Sequence, residues 1–142
     1  MIGENKGQVS LEYLLIFAVS LIILIAFTMP LLNETMSNTF DVSDSLKTKD
    51  DLSKIAHAIM KVYGEGEGSR QRVNLDVKKP VKIDVSSNQI SSKIKLNNKQ
   101  SKLIKINVRS NLETGSLGLD KGKNSLVVEW PVGEKNMILS KI

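Results

Sequence analysis

A run of 20 residues without a charge, Tyr13 to Leu32 (YLLIFAVSLIILIAFTMPLL), limits what the first part of this chain can become. Wound as a helix rising about 1.5 Å per residue, it extends about 30 Å, the hydrocarbon thickness of a bilayer. Its length therefore predicts a membrane-spanning helix. A soluble fold would have to enclose a helix that is apolar all round, and the roughly 70 residues of strand pattern that follow offer too little surface for that. A secretory signal would have a shorter apolar core ending in small residues, whereas this one runs into Asn33-Glu34-Thr35 with no A-x-A pattern. A plain signal anchor stays open. On the flanks, Lys6 and the terminal amine precede the run, with Glu4 offsetting Lys6, and Glu34, Asp41 and Asp44 follow it before the next cation, Lys47. That asymmetry places the N-terminus in the cytoplasm and the remainder outside.

Glu12 stands at the front of this run. A carboxylate beside hydrocarbon costs roughly 3 kcal/mol on insertion scales and usually signals a function. Lys6-Gly7 precede it, Gln8 and Ser10 lead up to it at alternate positions, and Ile16 follows four residues on. The stretch KGQVSLEYLLI resembles the class III signal peptide of archaeal type IV pilin-like proteins, a Lys/Arg-Gly pair followed by Q-x-S-x-E-x-x-x-L. Ile16 replaces the final Leu of that pattern, with Leu15 beside it.

The resemblance covers residues 6 to about 32. It implies that a prepilin peptidase cuts between Gly7 and Gln8, removing a leader of residues 1–7 and leaving the apolar helix in place. Gln8 then carries the new terminal amine. Glu12 pairs with such an amine, its own or that of an adjacent subunit. An ion pair in apolar surroundings is strongly disfavoured when one member is missing, so this contact would set the axial offset between helices while apolar surfaces supply the drive. Gly7 lets an extended backbone enter a protease cleft, and Lys6 holds the leader at the cytoplasmic surface. The implied partners are the peptidase, the membrane before assembly, a pilus assembly platform and further copies in a helical filament. No cofactor is implied.

A helix is expected over residues 8–63, with 13–32 as the transmembrane and fibre-core segment. Pro30 lacks a donor and clashes with the carbonyl of Ala26, which predicts a kink or local unwinding near it. Apolar residues resume at Leu32, Met36 and Phe40, fade over Asp41 to Asp51, and return as a stripe in Leu52, Ile55, Ala56, Ile59, Val62 and Tyr63. Thr48-Lys49-Asp50-Asp51 offers a second helix start, so one bent helix and two consecutive helices are both compatible. His57 lies off the stripe and reads as solvated. The glycines of Gly64-Glu65-Gly66-Glu67-Gly68-Ser69 end the helix, and 64–71 reads as a linker.

From Arg72 the period becomes two, in Val73-Leu75-Val77, Val81-Ile83-Val85, Ile94-Leu96, Ile104-Ile106-Val108, Leu117-Leu119 and Leu126-Val128-Trp130-Val132, with a last run near Met137 to Leu139. Breaks are expected at Lys79-Pro80, Asn97-Asn98, Gly115, Gly118, Gly122 and Gly133. The fold class is α+β, a long N-terminal hydrophobic helix followed by a small antiparallel β-sheet or sandwich domain over 72–142, with part of the sheet packed on the Leu52–Tyr63 stripe.

Charge divides along the same line. Residues 1–71 carry 6 Lys/Arg against 9 Asp/Glu, and residues 72–142 carry 14 against 6. Lys82, Lys95 and Lys105 fall at outward positions, with Lys93, Lys99, Lys102 and Arg109 nearby. They read either as protection of exposed strands against aggregation or as a surface for a polyanion such as DNA or an acidic glycan. Trp130 is the sole aromatic after Tyr63, so the stacking platform of single-strand binders is missing.

Enzyme classes find little support. There is no cysteine, which removes disulfides and thiolate chemistry, and His57 alone cannot furnish the imidazoles of a zinc site. No serine–histidine arrangement or nucleotide loop accompanies it, so neither catalytic nor metal residues are assigned. Asn33-Glu34-Thr35 is a candidate N-glycosylation sequon just outside the span.

The expected role is a structural subunit of an archaeal type IV pilus-like surface filament for adhesion or surface attachment. The chain would be a membrane-anchored precursor first and part of an extracellular filament afterwards. A minor or priming pilin, and a monomeric membrane-anchored binding protein with a basic β domain, are the alternatives.

Overall fold

The computed structural model describes residues 4–97 and 100–142. Residues 1–3 of the expected leader, and Asn98 and Lys99 of the expected turn and lysine set, lie outside the described residues. A single helix, α1, runs from Glu4–Glu65 over 62 residues. Of the two arrangements left open by the sequence, the chain therefore adopts one helix. Helical backbone continues through Pro30, which forfeits one hydrogen bond without ending the element. On either side the hydroxyls of Thr28 and Thr35 donate to the carbonyls of Leu24 (2.6 Å) and Leu31 (2.8 Å). Such back-bonding satisfies polar groups that would otherwise face hydrocarbon.

The chain divides into two units, one ending at Phe40 and the other comprising Asp41–Ile142. In the first, the large apolar side chains from Leu11 to Phe40 are exposed. A helix in this state is long and apolar enough to cross a membrane.

The second unit begins where the apolar stripe fades, and α1 continues there with polar residues on its inward face. Asp41 and Ser45, one turn apart, are buried. Ser45 donates to the Asp41 carbonyl (2.8 Å), while Asp41 Oδ1 accepts the backbone N–H of Asn97 (2.8 Å). Among the described residues seven strands follow: β1 Arg70–Val77, β2 Val81–Ser86, β3 Gln89–Lys95, β4 Ser101–Asn107, β5 Gly115–Leu119, β6 Gly122–Glu129 and β7 Ile138–Lys141. They form a three-stranded sheet in the order β1-β6-β7 and a four-stranded sheet in the order β4-β3-β2-β5. Every strand pairing is antiparallel. The helix stripe, with Leu52, Ile55, Ile59 and Val62 nearly inaccessible, joins one core with inward residues of both sheets, among them Leu75, Ile83, Ile90, Leu126 and Met137. Burying that stripe is what holds helix and sheets together.

The connection from helix to sheet is shorter than the linker 64–71. Helix ends at Glu65 and β1 starts at Arg70, which pairs with Glu129 by register and by an ion pair (3.5 Å). Gly66, at φ 88°, donates its N–H to the Val62 carbonyl (3.0 Å), and Ser69 Oγ donates to the same carbonyl (3.0 Å). Left-handed backbone at this point suits glycine and closes the helix end. Two expected breaks are corrected as well. Gly115 and Gly118 lie within β5, where they pair with Val85 and Lys82. Pairing across the ladder supplies their hydrogen bonds, so the missing side chains do not interrupt the strand.

Candidate processing and assembly site

Lys6, Gly7 and Gln8 all fall within the first turns of α1. The bond expected to be cut, Gly7–Gln8, lies within this helix. Glycine is about 1 kcal/mol less favourable than alanine in a helix interior. A peptidase needs extended substrate backbone, so Gly7 lowers the cost of presenting that bond.

Ser10, Glu12 and Ile16 continue on the same helix, and all three are exposed. Glu12 and Ile16 are four residues apart and share a face. Gln8 precedes Glu12 by one turn, about 6 Å along the axis. A terminal amine created at Gln8 would therefore start one turn away from the carboxylate proposed to receive it. Among the described residues Glu12 makes no hydrogen bond or ion pair. Its neighbours Leu11 and Ile16 are 68% and 58% exposed, so the carboxylate stands unpaired on an uncovered apolar surface. A lone charge on such a surface is expensive once the surface is buried.

Asn33 is exposed and helical, and the hydroxyl of Thr35, the third residue of its sequon, is engaged by Leu31. Lys82, Lys93, Lys95, Lys102, Lys105 and Arg109 are all exposed in the second unit. His57 is exposed too.

Sequence reasoning did not foresee a pocket of ≈ 310 Å³ between α1 and the four-stranded sheet. Leu52, Val81, Ile83 and Leu119 contribute its apolar lining. At its margin Lys47 bonds Asp51 (3.1 Å) and Lys79 bonds Asp44, tying the strand turn to the helix. The Asp41–Asn97 bond was equally hidden, since a pairing across 56 residues leaves no local pattern.

Residues 5–31 match the family model for the class III signal peptide. That match and the long apolar helix support a type IV pilin-like protein, with processing by a prepilin peptidase and assembly into a pilus as the general consequence. They fit a membrane-anchored precursor and an extracellular pilus. No curated protein and no solved structure matches the chain.

Proposed function

We propose that this protein is a structural subunit of an archaeal type IV pilus-like surface filament that serves adhesion or surface attachment, and that it is not an enzyme. In this reading the peptidase cuts Gly7–Gln8 on the cytoplasmic side, and the assembly platform lifts α1 from the bilayer into a bundle of identical helices. Burial against sister helices replaces burial in lipid. The carrying observation is the exposed, unpaired Glu12 at the head of an uncovered apolar helix, inside the matched signal peptide. Both its charge and its apolar surroundings are provided for if neighbouring copies surround it, one of them offering a terminal amine.

The test is expression of the full chain with a prepilin peptidase, followed by mass spectrometry of the mature terminus and electron microscopy of sheared surface material. A chain beginning at Gln8 and recovered in filaments is expected. A mature terminus elsewhere would overturn the reading. Correct cleavage without filaments would replace it with the minor or priming subunit, and an uncut monomer on the cell surface with the tethered binding protein.

A further inference from the structure

The four-stranded sheet gathers lysines in a way that protection of strand edges does not explain. With the order β4-β3-β2-β5, the edge strands are β4 and β5. Lys82 belongs to β2 and Lys93 and Lys95 to β3, both interior strands whose backbone groups are already paired. Only Lys102 and Lys105 lie on an edge. The register that matches Ile83 with Ser92 sets Lys82 opposite Lys93, and like charges directly opposite each other destabilise a sheet.

Side chains alternate along each strand, so Lys82, Lys93, Lys95 and Lys105 share the outer face while Ile83, Ile90, Ile94 and Ile104 enter the core. Among the described residues Asp84 is the one acid on that face, 3.7 Å from Lys82. Strands about 4.8 Å apart with about 3.3 Å per residue confine the four lysines to a patch about 15 Å across. Hydroxyls of Ser91, Ser101 and Ser116 stand on the same face.

We infer that this face binds the phosphate backbone of double-stranded DNA without reading its sequence. Duplex DNA carries one charge per about 1.7 Å of axis, so a 15 Å patch meets more phosphates than it has lysines. The cations are all lysine, which meets phosphate as a point charge without fixing its orientation, as a contact that reads no sequence allows. Among the described residues no aromatic side chain occupies this face, so unpaired bases have nothing to stack on. Serine hydroxyls add donors of the kind that contact phosphate and sugar.

The experiment uses the full chain in nonionic detergent and a fluorescently labelled duplex of about 24 base pairs, with anisotropy read between 50 and 200 mM NaCl. Three to four neutralised phosphates give a slope of about −2.7 to −3.6 in log K against log salt, a loss of about 40- to 150-fold over that range. The variant K82Q/K93Q/K95Q/K105Q should lose this slope, whereas K82R/K93R/K95R/K105R should keep it. K54Q/K61Q/K121Q/K123Q, which removes equal charge elsewhere, should also keep it. The inference is overturned if the last variant weakens binding as much as the first, if the arginine variant loses binding, or if hyaluronate binds more tightly than the duplex at equal salt. All three outcomes are independent of whether filaments form.

Discussion

Replacing Ile59 by alanine removes three carbons from a side chain that is 0% exposed, in the middle of the α1 stripe shared with both sheets. At about 0.8 kcal/mol per buried carbon the transfer loss is about 2.4 kcal/mol. The cavity left among rigid strands raises the total to about 3–4 kcal/mol. Leu46 lies on the same helix but is 62% exposed, and Leu46→Ala should change stability by less than about 0.5 kcal/mol. For a unit the size of Asp41–Ile142, the Ile59 loss corresponds to a fall in Tm of about 12–30 °C. Far-ultraviolet dichroism would under-report the transition, because the apolar part of α1 stays helical in detergent. Trp130 provides a better signal. It is the only tryptophan and stacks on Tyr63 of α1 with ring centroids 5.9 Å apart and planes 8° from parallel, so its fluorescence follows separation of helix and sheet. Equal shifts for the two variants, or a fall of less than 1 kcal/mol for Ile59→Ala, would refute the shared core.

Glu12→Ala should leave Tm and Gly7–Gln8 cleavage unchanged, because the carboxylate has no partner among the described residues, yet filament yield should collapse. The basis is the roughly 3–5 kcal/mol cost of a buried charge left without its partner, and normal yield of sheared filaments from this variant would remove the pairing role. Gly68→Ala should lower stability by about 1–2 kcal/mol in denaturant titration, since φ there is 86° and an added Cβ would stand 3.2 Å from Val132 Cγ2. Gly66→Ala meets the same backbone strain (φ 88°) but open space, and should cost less. Asp50 is held below its ordinary value of 3.8 by its hydrogen bond to Lys54 (2.8 Å). A depressed carboxylate contributes stability that is present above its unfolded pKa and lost as pH falls through the lower folded value. Asp50→Asn should therefore differ from the parent in denaturation midpoint at about pH 6 and coincide with it at about pH 2, and a constant difference would exclude the pair as the cause.

Most of the strands and the processing motif were legible because both depend on short-range spacing. Val73-Leu75-Val77 and Val81-Ile83-Val85 announce their strands by alternation, and the helix stripe from Leu52 to Val62 announces its burial. Polar residues that turn inward left no such signal. Ser92 is fully buried in β3 with its hydroxyl donating to the Lys82 carbonyl (2.9 Å), and Asn124 is buried in β6, bonding the carbonyls of Asp120 and Gly122. Each satisfies itself locally, so a position that looks solvated in sequence occupies the core. Ile90 escaped notice for the related reason that Ser92 masks the alternation from Ile90 to Ile94. Over the polar stretch Asp41 to Asp51 one bent helix and two consecutive helices both stayed compatible, since the bond from Asn97 to Asp41 Oδ1 joins residues far apart along the chain. Lysine positions were readable, but which strands are interior is a property of sheet order, and alternation carries no information about order.

The fastening of α1 to the three-stranded sheet has a mechanical side. Gly68 donates to the Trp130 carbonyl and Trp130 returns a bond to Ser69, so the four-residue turn is clasped to the end of β6 before β1 begins. All eight residues of β1 then lie in register against β6. Tension arriving through the rod would meet the Asp41–Asn97 and Lys79–Asp44 ties first, then the buried stripe, and would reach this buckle and its eight-rung ladder only after those had given way. A subunit wired in this manner carries its fastenings in series along one helix.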